Sequence, residues 1–316
     1  MLNYDLTDEQ TILRQTIREF AEKEVAPVAR ELDEKEEFSV ALTRKMAEVG
    51  LFGCFVSEEW GGSNMGYVGY IIAVEELARV DGSTAATVAA GNSLGIGPIN
   101  YFGSDEQKKR WLPRLCRGEI LGAFGLTEPD AGSDAQASRT AAVQRGDEWV
   151  INGSKIFITN ASSALAGVVT VQVVTGGRAD GRKELSCFLV PAGTPGYTAK
   201  TMHGKMMWRS SDTGELFFED CKVPAGAMLG QQGDGFKQMM QTLDGGRLSI
   251  AAMGLGGAQG AYELALNYAQ QRKQFGMLIG KFQANAFKLA TMAMEIEAAR
   301  NMLYKACWLR EEHRPF

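Results

Sequence analysis

Histidine is nearly absent: His203 and His313 are the only two in 316 residues. Neither has another histidine or a cysteine close by, so no metal site is expected. The five cysteines, Cys54, Cys116, Cys187, Cys221 and Cys307, are scattered and include no C-x-x-C pair. That argues against a zinc or disulfide framework and fits reduced thiols in a cytoplasmic setting. No stretch reaches the roughly 18 uninterrupted apolar residues of a membrane-crossing helix. The opening MLNYDLTDEQ lacks the basic and apolar regions of a leader, so no export signal is read there. A net charge of −5 argues against a nucleic-acid or anionic-membrane surface. The phosphate loop G-x-x-x-x-G-K-[ST] is missing. Gly254-Leu-Gly256-Gly-Ala-Gln259 has glutamine where a dinucleotide fingerprint needs its third glycine, and it reads as a helix-packing surface of small residues. Gly61-Gly-Ser63 is not a nucleophile elbow, because Met65 replaces the closing glycine.

What remains is an ordinary globular composition, 45% hydrophobic and 22% charged, with length for two or three domains. Residues 1–120 read as helical. Thr7-Asp-Glu-Gln10 is a capping box, followed at helical spacing by Leu13, Ile17, Phe20 and Ala21. Glu59 to Asn64 is a turn cluster, and Ile71, Val74, Glu75 and Leu77 open another helix. Residues 121–230 change period. Trp149 to Thr159 holds two apolar runs around Asn152-Gly153, a hairpin signal, and 167–174, 185–190 and 215–218 read as further strands. From 231 to 316 the texture is again helical, with no proline between Pro224 and Pro315. The expected fold class is α+β multidomain: an N-terminal helical domain, a central antiparallel β-barrel or sandwich, and a C-terminal helical bundle.

The stretch Ala123 to Ala135, AFGLTEPDAGSDA, carries the chemistry. Thr127 and Ser133 bring hydroxyls that donate and accept, while Gly125, Ala131 and Gly132 leave backbone amides approachable. Pro129 stiffens the turn. Such a loop suits a flat ring edged with carbonyls and nitrogens, or a phosphate held by N–H groups; it also suits a plain surface turn.

FGLTEPDAGSD resembles the flavin-binding signature of the acyl-CoA dehydrogenase family. Ile156-Phe-Ile-Thr-Asn160 resembles its W-I-T-N strand, and Lys205 to Thr213 resembles K-M-G-x-R-x-S-D-T. Asp244-Gly-Gly-Arg247 and Gln271-Arg-Lys-Gln-Phe-Gly276 are similar to its C-terminal motifs. The resemblance runs in family order from about residue 5 to the end, and Asp244 to Arg247 looks like the short-chain, butyryl-type branch. It implies FAD as cofactor, with Phe124, Gly125, Leu126 and Thr127 at the flavin pyrimidine edge. Ser133 would lie near the diphosphate and the acyl-CoA, with Phe157, Ile158 and Thr159 beside the ring. Phe157 stands where tryptophan is usual; stacking survives but an indole donor is lost. Arg272, Gln274, Phe275, Phe282 and Gln283 would reach the FAD of a neighbouring subunit. Asp244 and Arg247, with Ser133, would contact substrate.

The implied reaction is α,β-dehydrogenation of an acyl-CoA, as in fatty acid β-oxidation, with electrons passed to an electron-transfer flavoprotein. A homotetramer built as a pair of dimers is the implied assembly. One branch of the family places its base immediately before the arginine of D-x-x-R, where this chain has Gly246. The commoner branch uses a glutamate in a Y-E-G-T segment, which is expected to lie beyond Phe316. No catalytic base is therefore assigned, and little turnover is expected from these 316 residues alone. Two other readings follow: a non-catalytic flavin or acyl-CoA binding relative, and an oxidase that uses oxygen. Met207, where glycine is usual, and Gly214, where arginine is common, depart from the pattern.

Overall fold

The computed structural model describes residues 6–316 and divides into two compact units. One contains residues up to 30, 65–86 and 248–316; the other contains 31–64 and 87–247. In chain order the helices are α1 (Asp8–Phe20), α2 (Ala26–Lys35), α3 (Val40–Glu48), α4 (Gly66–Ala78), α5 (Gly82–Ala90), α6 (Gly97–Phe102), α7 (Asp105–Cys116), α8 (Gly235–Ala269) and α9 (Gln283–Glu311). The strands are β1 (Leu121–Gly125), β2 (Ala141–Arg145), β3 (Glu148–Thr159), β4 (Ala166–Gly177), β5 (Lys183–Pro191), β6 (Tyr197–Thr201), β7 (Thr213–Pro224), β8 (Met228–Leu229), β9 (Lys273–Gln274) and β10 (Met277–Leu278). Among the described residues, no helix is long and apolar enough to cross a membrane.

The first unit is helical. The capping box at its start is formed: the Thr7 hydroxyl accepts from the Gln10 N–H and the Gln10 side chain accepts from the Thr7 N–H, both at 3.1 Å. Of the small residues expected to pack, only one glycine of the 254–259 stretch, Gly256, does so, joined by Gly260 one turn on. A Cβ at Gly256 would strike the carbonyl of Glu75, and one at Gly260 the carbonyl of Arg79, whereas Gly254 and Gly257 face open space. Buried between the helices, the Glu75 carboxylate accepts from Arg300 at 2.9 Å and from the Tyr304 hydroxyl at 2.7 Å. Glu76 accepts from Arg18 at 2.8 Å and lies 3.3 Å from Arg79. These buried carboxylates are thus paired, as their desolvation requires. Glu311 caps α4, accepting from the Tyr67 N–H and, at 3.0 Å, from the Val68 N–H.

The second unit is built on one sheet in the order β6-β7-β3-β2-β4-β5-β8, with β1 also paired to β4. Its core side chains include Trp149, Ile151, Val171, Phe188, Leu216 and Phe218. Antiparallel pairing dominates, as expected, but the sheet does not close, and β1 and β2 each pair with β4 in parallel. The hairpin expected at Asn152-Gly153 is not there. Residues 148–159 form one strand, and the β2–β3 turn falls at Gly146, which has φ +62°. Asn152 instead bonds across to Asp220 of β7, at 2.8 Å to its N–H and 3.2 Å to its carboxylate. Gly153, at φ +143°, marks a register shift against β7. A bulge uses the same glycine freedom as a turn.

Candidate functional site

The loop from β1 to β2 is fixed from beneath by a buried ion pair. Lys155 lies on β3 with its side chain 0% exposed, and Glu128 in the loop is 5% exposed; Nζ and Oε1 are 2.7 Å apart. The Lys155 ammonium also donates to the Leu126 carbonyl and the Ser138 hydroxyl, both at 3.1 Å. Glu128 accepts from the Ser138 hydroxyl at 2.7 Å, the Arg139 N–H at 2.7 Å and the Thr140 N–H at 3.1 Å. Burial by itself would raise the Glu128 carboxyl, but the charge and hydrogen bond of Lys155, with the other donors, hold it down at about 2. Burial pulls Lys155 below its ordinary value, with Glu128 opposing. With four donors converging on the carboxylate, the charged pair is the state that fits the geometry.

Above this pair the loop runs back against β3, where the Ile156 N–H donates to the Thr127 carbonyl at 2.9 Å. A register shift between Lys155 and Ile158 leaves Phe157 at φ +61° with its ring 62% exposed. A bulky residue rarely adopts that backbone, and such positions concentrate at functional sites. Ile158 is buried and Thr159 half-buried, paired across the sheet with Thr213. The following Asn160, also left-handed at φ +63°, donates its N–H to the Asp212 carbonyl at 3.0 Å and its side-chain amide to the Thr87 carbonyl at 3.1 Å. The Asp212 carboxylate in turn accepts from the N–H groups of Ser162 at 2.9 Å and Ser163 at 2.8 Å, and from the Ser162 hydroxyl. Strand end and neighbouring loop are therefore one hydrogen-bonded assembly.

Against that background the three hydroxyls expected at the site are unengaged, as is that of Ser154 on β3. Ser138, Thr140 and Ser162 are each engaged in the protein. Thr127, Ser133 and Thr159 make no side-chain hydrogen bond among the described residues. Phe124, Gly125 and Leu126 are buried, Thr127 is half-buried and Ser133 is exposed. So the structure brings Phe124 to Thr127 together with Phe157 to Thr159, through Lys155 and Ile156.

Further along in the same unit, Asp244 and Arg247 pair with each other on the surface of α8. A Cβ at Gly246, which is buried, would sit 3.6 Å from Leu94 Cδ2 and 3.9 Å from Ser93 Oγ, ordinary contact distances for that one atom. In the helical unit, Arg272, Gln274, Phe275, Phe282 and Gln283 gather on the β9–β10 hairpin and the start of α9. The turn is Phe275-Gly276 at φ +51° and +76°, and it leaves the Phe275 ring 91% exposed, edge-on to Phe282 at 6.2 Å.

Sequence reading did not single out Lys155, Glu128, Asn160 or Asp212. For Lys155 a signal existed: a lysine among the apolar residues of a strand needs an acid partner when it faces inward.

Residues 7–119, 123–221 and 233–316 match, in that order, the N-terminal, middle and C-terminal domains of acyl-CoA dehydrogenase. The chain belongs to the acyl-CoA dehydrogenase family. Within it, the short-chain specific acyl-CoA dehydrogenase of Clostridium acetobutylicum is 45% identical over 315 residues, covering 100% of this chain and 82% of that protein. The butyryl-CoA dehydrogenase of Megasphaera elsdenii superposes with a TM-score of 0.95 at 43% identity, over 100% of this chain and 82% of that one. A glutaryl-CoA dehydrogenase of Mycobacterium smegmatis in complex with FADH2 superposes with a TM-score of 0.91 at 31% identity, over 98% and 78%. These acyl-CoA dehydrogenases share the helical, β and helical order of this chain.

Proposed function

We propose that this chain is an FAD-dependent acyl-CoA dehydrogenase of the short-chain type, converting a saturated acyl-CoA to its trans-2-enoyl-CoA and passing electrons to an electron-transfer flavoprotein. Its functional segments divide near residues 120 and 230. The observation that carries the reading is the set of unengaged hydroxyls, Thr127, Ser133 and Thr159, with an exposed Phe157 ring, on a loop and strand locked together by Lys155 and Glu128. That donor set fits a flat ring edged with carbonyls and nitrogens.

In this reading the backbone of Phe124 to Thr127 and the Thr127 hydroxyl hold the pyrimidine edge, and Phe157 to Thr159 flank the ring. Arg272, Gln274, Phe275, Phe282 and Gln283 serve the FAD of a second copy; Arg272 offers a planar fork suited to diphosphate. When bound, the flavin supplies the acceptor for the hydride leaving the substrate β-carbon. Ser133, Asp244 and Arg247 orient the acyl-CoA. Gly246 has no group that takes a proton, so no base is assigned among these residues.

The test is an absorption spectrum of the FAD-reconstituted protein, titrated anaerobically with butyryl-CoA. Bands at about 370 and 450 nm, as for any oxidised flavin, establish the cofactor. A colourless protein after reconstitution overturns the reading. Bleaching by butyryl-CoA is the signature of turnover, and unchanged bands mean binding without it.

A further inference from the structure

Lys155 occupies a position that packing alone does not explain. Its side chain is fully buried, yet an apolar residue would fill the space beside Gly125 without the cost of desolvating an ammonium. Glu128 accounts for the charge balance, and Ser138 takes a second bond. The third bond goes to the Leu126 carbonyl, at 3.1 Å. That carbonyl belongs to the planar peptide group whose other end is the Thr127 N–H, and in a trans peptide the two point in opposite directions. On the far side of Thr127, the next carbonyl is taken by the Ile156 N–H at 2.9 Å. Both carbonyls flanking Thr127 are thus turned toward β3. Its N–H and its hydroxyl have no hydrogen-bond partner among the described residues.

Resting on the flavoenzyme reading above, we infer that Lys155 is a positioning residue for the cofactor: its ammonium polarises the 126–127 peptide and strengthens the Thr127 N–H as a donor to the pyrimidine edge of a bound flavin. Hydrogen bonds in series reinforce one another, and a cation at one end of an amide makes the other end a better donor. Reduction places negative charge on that ring edge, so a stronger donor there favours the reduced ring. Lys155 therefore sets the potential from a site that touches neither substrate nor cofactor. Glu128 partly cancels the charge while anchoring the loop.

The experiment compares full-length, FAD-loaded wild type with Lys155→Met/Glu128→Gln and with Glu128→Gln alone. FAD affinity and the midpoint potential of the bound flavin are measured by spectroelectrochemistry. The double variant removes both charges together, so no buried charge is stranded. Its reduced-to-oxidised binding ratio is expected to fall by roughly tenfold, a drop of about 30 mV for a two-electron couple. Glu128→Gln keeps the cation and is expected at or above the wild-type potential. A double variant at the wild-type potential overturns the inference, as does a fall in Glu128→Gln equal to that of the double variant. Loss of stability in both variants with no movement of potential shows a structural pair only, and overturns it too. If the double variant does not fold, Glu128→Gln decides alone: a potential at or above wild type supports the inference and one below it overturns it. Absence of FAD from the wild type would sink the flavoenzyme reading first, and this inference with it.

Discussion

Gly256 of α8 and Glu75 of α4 meet so closely that a Cβ on the glycine would overlap the Glu75 carbonyl oxygen. One turn on, Gly260 stands in the same relation to Arg79. The backbones approach there because the side chains are missing, while Gly254 and Gly257 on the other side of α8 meet nothing within 4 Å. Gly256→Val is expected to destabilise the protein by about 3 kcal/mol through overpacking. Gly257→Ala should be neutral or stabilising by up to about 1 kcal/mol, from helix propensity. Urea denaturation of the two variants checks the contrast, and equal effects would refute the close-approach account.

Glu128 gives the β-unit an acid sensitivity of known sign. Its carboxyl is held at about 2 in the folded protein, against an ordinary 4.5. A depressed carboxyl stabilises the fold above its unfolded value, and that contribution is lost as pH falls through the folded value. Stability is therefore expected to drop between about pH 4.5 and 2, by roughly 3 kcal/mol from this group. Subtracting the Glu128→Gln curve from the wild-type curve over that range isolates it; a flat difference would refute the assignment.

Much of this architecture is legible in the sequence, and the exceptions share a cause. The capping box at Thr7 is local, and it forms as read. The runs at 167–174 and 185–190 lie in β4 and β5, because short apolar stretches rich in valine, or carrying leucine and phenylalanine, fit a buried sheet. Asn152-Gly153 fails as a hairpin because a tertiary partner, Asp220, claims the asparagine. The motif around Thr127 is recognisable as a loop with free hydroxyls. What holds it, Lys155 from 27 residues away in sequence, is a long-range pairing with no local signature. The open edge of the sheet and its parallel β1–β4 and β2–β4 pairings are likewise set by which strands meet.

Asp212 supports the turn after Thr159 through two backbone N–H groups and the Ser162 hydroxyl. Asp212→Ala leaves these half-buried donors without an acceptor, which costs about 2 kcal/mol. Asp212→Asn keeps one acceptor oxygen and should recover part of that. Thermal denaturation of the pair reads the difference, and hydrogen exchange should show faster opening at Ser162 and Ser163 in the alanine variant. Protection unchanged at those two amides would argue that the turn is held otherwise.

Gly246 tests the chemistry. It precedes Arg247 in the position where one branch of the family carries its base, and a Cβ there meets only Leu94 and Ser93 at ordinary contact distances. Gly246→Glu introduces a carboxylate there whose Cβ strikes no backbone. In the 316-residue chain loaded with FAD, that carboxylate is expected to raise deuterium exchange at the α-carbon of butyryl-CoA by about 100-fold, the lower range of a placed general base. Exchange reports proton removal apart from flavin reduction, so it separates a misplaced base from a failing cofactor. Gly246→Gln, equal in size and unable to accept the proton, should stay at the background rate. A glutamine variant as fast as the glutamate one would show that the side chain acts by shape and not by taking the proton.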